Sequence, residues 1–160
     1  MKKITIITAF ILFCLVCHCL YSFGQVNRKT GYCSFSAAYV PSGGNAGYIG
    51  LQLTAGRDIG RSFLEYSQTI TLSPETDAAK LFQIRGGYSF DLDKCIELRP
   101  FVAYGLSSIP NNESKRIGHA ACFGAALVQN VNHSDLSIKY ELSLNNNFLL
   151  VPSIGAVVRF

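Results

Sequence analysis

Past residue 24 or so, no apolar run in this chain is long enough to cross a bilayer as a helix. Any route that the remainder takes through a membrane must therefore use strands. Charge is also scarce, with Asp, Glu, Lys and Arg making up 15% of the 160 residues, and no block of like charge occurs. That distribution gives nucleic acid no electrostatic footprint to follow. Internal repeats and low-complexity tracts are missing. No set of nucleophile, base and orienting partner stands out, so no enzyme activity, cofactor or metal is expected. The low charge and a mean hydropathy of +0.24 are unusual for a small soluble domain and favour a bilayer.

The first stretch reads as an export leader. Lys2 and Lys3 form a positive n-region, Ile4 to Leu20 is apolar, and Ser22-Phe23-Gly24 supplies the cleavage spacing, so a signal peptide over 1–24 and a single domain over 25–160 are expected. Loss of Lys2 and Lys3 takes the formal charge from +4 to about +2. Lipidation at Cys14, Cys17 or Cys19 competes weakly, because Val16 and His18 stand where a lipoprotein site needs a small residue. An uncleaved helical anchor is the other alternative.

From Gly31 to Phe160 apolar and polar side chains alternate between turn-forming clusters: 41–45, 58–61, 73–77, 91–94, 110–114, 130–135 and 145–147. Seven turns separate eight strands, expected near 31–40, 47–57, 62–72, 81–90, 95–107, 118–129, 135–144 and 149–160. Each approaches the nine to eleven residues, roughly, that a tilted strand needs to cross a hydrocarbon core. One parity carries residues such as Phe35, Leu51, Leu64, Ile84, Val102, Phe123, Ile138 and Ile154, and the other carries Ser34, Ser36, Gln52, Thr54, Glu65, Gln83, Arg85 and Lys139. Alternation alone permits either face to point outward, so a soluble secreted ligand-binding barrel with inverted faces stays open. Composition favours the membrane reading: the polar face is mostly Ser and Gly around a few charges, which fits the cramped inside of a narrow barrel. Tyr39, Tyr66, Tyr88, Phe90, Tyr104 and Tyr140 fall where an interfacial girdle would lie. The expected fold is all-β, an eight-stranded antiparallel up-and-down transmembrane β-barrel.

That pattern, with the closing run Ile154-Gly155-Ala156-Val157-Val158-Arg159-Phe160, resembles the small eight-stranded outer-membrane barrels, the family of the OmpA transmembrane domain and OmpX. The resemblance implies a Gram-negative outer-membrane location, outer-membrane lipid as surroundings, and delivery by the barrel-insertion machinery. Ile154, Ala156, Val158 and Phe160 would carry the insertion signal. Gly86-Gly87-Tyr88-Ser89-Phe90 and the closing strand also bear a fainter likeness to TraO-type outer-membrane proteins of conjugative transposons.

Eight strands enclose a lumen that side chains can fill, so a plugged interior is expected rather than a wide channel. Glu65, Arg85, Glu97, Arg99, Lys139, Glu141 and Arg159 share the inward parity and are expected to form a charge network, with Glu65 and Arg85 on neighbouring strands. Such a network either satisfies the interior or, by re-pairing, makes a small pore. With both ends in the periplasm, the outer connections are 41–46, 73–80, 108–117 and 145–148. Of these only 107–117, with Asn111, Asn112, Glu113, Lys115 and Arg116, is long and polar enough to be a binding tip for a surface protein partner, as yet unknown. As lipid-acting groups, His133-Ser134 would lie in a periplasmic turn, away from the outer leaflet, and His119 lacks a serine and an acid partner. Cys33, Cys95 and Cys122 are an odd number at different heights and are read as packing residues. The function expected is structural or surface-interactional, with a small pore as the alternative.

Overall fold

The computed structural model describes residues 30–40, 47–72, 80–111, 114–131, 134–145 and 150–160. The expected leader over 1–24 and the tips of most outer connections lie outside the described residues. The strands are β1 (Gly31–Val40), β2 (Tyr48–Ile59), β3 (Ser62–Leu72), β4 (Lys80–Tyr88), β5 (Phe90–Asp93), β6 (Ile96–Asn111), β7 (Ser114–Asn130), β8 (Leu136–Asn145) and β9 (Leu150–Arg159). Neighbours run antiparallel, β9 pairs with β1, and β4 pairs with β6, so the sheet closes on itself. Because β5 continues β4 beyond Ser89 along the same partner, nine segments form eight staves.

The stagger of the barrel follows from its register. Pairing steps lead from Asn130 to Ser137, Val157, Ser34, Thr54, Ser67, Gln83, Gly105 and finally Ala120. The circuit leaves β7 at Asn130 and rejoins it at Ala120, ten residues along the strand. Tilted staves of this number leave an interior that side chains fill. At the seam Gly31 and Phe160 exchange backbone hydrogen bonds of 3.2 and 2.9 Å, so neither β1 nor β9 has an open edge there.

The two parities separate cleanly. Ile84 is 64% exposed and Val102 68%, whereas Arg85, next to Ile84, is 2% exposed. Ser34, Ser36, Gln52, Thr54, Glu65, Ser67, Gln83, Arg99, Lys139 and Glu141 are likewise buried inside. A barrel in water would present the reverse, so the inverted soluble alternative is excluded and the exterior is a lipid-facing surface.

Two elements differ from expectation. The fourth strand, expected to end near 90, is broken at Ser89 and then runs to Asp93 with a register shift between Asp91 and Asp93. Such an irregularity lets a strand continue past the end of its former neighbour β3. The connection expected over 108–117 is mostly strand: the β6–β7 ladder continues from Ser107 opposite Gly118 to Asn111 opposite Ser114. Turn-forming composition there does not end the pairing, and Pro110 is accommodated in the ladder opposite Lys115.

Large inward aromatics lie over glycines on adjacent staves. Phe63 stands opposite Gly87, and Phe101 between Gly87 and Gly124. A Cβ at Gly87 would meet the Pro100 carbonyl oxygen at 2.1 Å and the Phe63 ring at 2.6 Å, and one at Gly124 the Leu142 carbonyl oxygen at 2.4 Å and the Phe101 ring at 2.8 Å. Glycine therefore makes room both for the neighbouring strand's backbone and for the ring that covers it. Gly87→Val is expected to weaken folding by about 1–3 kcal/mol through overpacking, read as a lower urea midpoint in vesicles. Ile84→Val on the outward face of the same strand should leave that midpoint nearly unchanged.

Candidate functional site: the charged lumen

Alternation on each stave aims one set of side chains at a common axis, where long charged groups from distant strands meet. At the end of the barrel nearest the termini, Arg159 Nη2 donates to both carboxylate oxygens of Glu97, each at 2.8 Å. Just above, Arg99 pairs with Asp58, and its guanidinium lies against the Tyr32 and Phe63 rings, 4.7 and 4.2 Å from their centroids. The same Arg99 donates to the Tyr32 hydroxyl at 3.1 Å, and that hydroxyl donates to Glu65 at 2.8 Å. One bar thus runs Asp58, Arg99, Tyr32, Glu65, drawing on four strands.

A second bar centres on Glu141 of β8. Its Oε1 accepts from Arg85 Nη1 of β4 at 2.8 Å and from Gln52 Nε2 of β2 at 3.2 Å, while Oε2 pairs with Lys139 at 2.9 Å. Arg85 and Gln52 reach it from opposite directions around the barrel, so the contact lies across the lumen. Gln52 also donates to Ser67 at 3.3 Å and accepts from Ser153 at 3.2 Å. Arg85 lies 4.8 Å from the centroid of the Phe101 ring, a cation–π position. Gln83 accepts from Arg85 at 3.4 Å and donates to Cys122 Sγ at 3.3 Å.

The seven charged residues singled out from the sequence all face this interior, but their partners differ from simple neighbour pairing. Glu65 and Arg85 are directly opposite in register. Arg85 nevertheless spans to Glu141, because a closed wall brings sequence-distant staves within reach of long side chains, and Glu65 takes the Tyr32 hydroxyl across Gly56, which stands between them in register. Asp58, Tyr32, Gln52 and Gln83 were not among the expected network, nor were Phe63 and Phe101, which pack in the lumen with Ala103 and Cys122. Parity could have found them: Asp58 has that of Gln52 and Thr54, and Tyr32 that of Ser34.

Other singled-out residues sit elsewhere. Ile154, Ala156 and Val158 are exposed on the outward side of β9, and Phe160 follows at its end. Asn111, Lys115 and Arg116 are strand positions at the top of the β6–β7 hairpin, and Asn112 and Glu113 lie outside the described residues. His119 is on the exterior, its Nδ1 2.8 Å from the Tyr104 hydroxyl and its ring 5.8 Å from that ring. Ser134 braces a turn through the carbonyls of Val131 and Leu136, and His133 lies outside the described residues. No disulfide joins Cys33, Cys95 and Cys122 among the described residues.

No protein-family model matches the chain, and no curated protein matches it in sequence. Solved structures do. Neisserial surface protein A superposes with a TM-score of 0.62 at 16% identity, over 81% of this chain and 96% of that one. The N-terminal β-barrel domain of Pseudomonas aeruginosa OprF gives 0.60 at 16% identity, over 83% and 98%. A de novo designed transmembrane β-barrel gives 0.58 at 18% identity, over 84% and 98%. The chain thus has the fold of the small eight-stranded outer-membrane β-barrels, and its apolar exterior suits that membrane. A designed barrel matches about as well as natural ones, so the likeness carries fold and not task.

Tyr32→Phe removes the hydroxyl that joins Arg99 to Glu65 and leaves the buried carboxylate short of a donor. We expect a loss of about 1–3 kcal/mol in unfolding free energy in vesicles, with the folded, heat-modifiable band retained on gels.

Proposed function

We propose that this protein is an outer-membrane barrel with a structural or surface-interaction role, its lumen filled by its own side chains. The bridge of Arg85, Glu141 and Gln52 across the interior carries the reading, since three strands contribute to one buried contact. A continuous aqueous path past it would have to break charge pairs that are costly to leave alone. The surface role is supported by the β6–β7 hairpin, whose pairing extends to Asn111 opposite Ser114, beyond the last β4–β6 pair at Lys80 and Ser108. With the termini on the periplasmic side, that hairpin is the part of the barrel offered to a partner outside the cell. In this reading the segment 1–24 directs export, 25–160 forms the barrel, and Ile154, Ala156, Val158 and Phe160 present the closing strand to the insertion machinery.

Purified protein in planar bilayers is expected to give no steady unit conductance, and trypsin added to intact cells should cut at Lys115 or Arg116 while sparing Arg61 and Lys94. Sustained single-channel steps would favour the small-pore alternative, and cleavage at Arg61 or Lys94 alone would reverse the orientation.

A further inference from the structure

We propose that two copies of this chain pair within the membrane through the outer wall of β2, β3 and β4, with the Gln68 carboxamides of the two barrels hydrogen-bonded to each other. On β3 the neighbouring Ser67 faces the lumen, where it accepts from Gln52, so Gln68 takes the outward parity of Leu64, Tyr66 and Ile70. It stands well inside the strand, directly opposite Leu53 of β2 and Phe82 of β4. Its depth is therefore that of acyl chains and not of headgroups.

Nothing around Gln68 answers its polarity. The residue is 1% exposed, and among the described residues its side-chain carbonyl oxygen has no hydrogen-bond partner. Leu53, Phe82, Tyr66 and Ile70 surround it and are themselves half-buried, whereas Ile84 on the same wall is 64% exposed. An unmet carboxamide costs free energy in hydrocarbon, and lipid tails have no donor to offer it. Polar groups held at this depth are normally matched by another stretch of polypeptide.

Chemistry and depth both select a second copy as the partner. A carboxamide donates and accepts, so it is its own complement: two of them, turned head to tail, exchange a pair of N–H···O bonds. A two-fold axis along the membrane normal keeps every residue at its own level, so Gln68 of one barrel meets Gln68 of the next with neither barrel tilted. The four surrounding side chains carry no charge, and Lys80, which is opposite Ile70, stands at the outer end of β4. Identical walls therefore approach without like-charge repulsion. In a single barrel the carboxamide lies among its four neighbours, and rotation about its own side-chain bonds turns it out to the other copy. The contact lies side by side in the membrane, apart from the β6–β7 hairpin.

Energy transfer between purified copies in phospholipid vesicles tests this, with donor or acceptor dye attached through the exposed Cys95 thiol and the protein diluted stepwise in lipid. The parent should show transfer that saturates as its density in the membrane rises. Gln68→Leu should raise the density needed for half-maximal transfer by about tenfold, as the loss of a hydrogen-bonded pair in a membrane implies. The variant should keep the folded, heat-modifiable band, because leucine suits an outward position, and Gln68→Met gives the same reading if the leucine variant does not fold. Leu142→Ala on β8, four staves away in either direction, should leave transfer at the parent's value. Transfer in the parent no greater than random encounter gives, an unchanged half-point in folded Gln68→Leu, or an equal loss with Leu142→Ala would each overturn the proposal.

Discussion

Glu141 holds the interior together. Its carboxylate collects Arg85 from β4, Lys139 from its own strand and the Gln52 amide from β2 in one buried contact. Any one of these charges alone in the lumen would cost several kcal/mol, so each stave that contributes to the contact is tied to the others. Across the lumen four acids, Asp58, Glu65, Glu97 and Glu141, balance four bases, Arg85, Arg99, Lys139 and Arg159, in number. With polar groups gathered in this way, the outward positions can be given over to Ile84, Val102, Phe123 and Ile154, which a bilayer accepts.

Barrel geometry makes the contact reachable. With eight staves and a ten-residue stagger the lumen is narrow enough for arginine to cross, as Arg85 does, and Arg99 on its way to Asp58. The same narrowness explains the glycines: Phe63 and Phe101 fit because Gly87 and Gly124 present no side chain beneath them. Packing, electrostatics and the proposed closed lumen are three consequences of one bore.

Most of the fold was legible in the sequence because a membrane barrel has an unusually strict two-residue code. Glu65 between Leu64 and Tyr66, or Arg85 beside Ile84, fixes a side for every residue on its strand once one face is known to meet lipid. Partners were less legible. Alternation says that Arg85 and Glu141 both point inward, but closure decides that they meet, and closure depends on a stagger that no single strand encodes. Asp58 carries a turn signal and Tyr32 gives no sign of its role, since each sits within a residue or two of a strand end where turn chemistry and inward parity coincide. The β6–β7 hairpin extends past its expected strand ends for a related reason: the turn-forming residues at 110–114 hide a ladder that the backbone continues.

A double-mutant cycle on Arg85 and Glu141, read as unfolding free energy in lipid vesicles, tests the central contact most directly. Glu141→Leu, which strands Arg85 and Lys139, should cost about 3–5 kcal/mol, and Arg85→Met less because Lys139 still faces Glu141, while the double variant, which strands Lys139 alone, should cost less than their sum. Additive losses, or single variants as stable as the parent, would contradict an interior organised around Glu141.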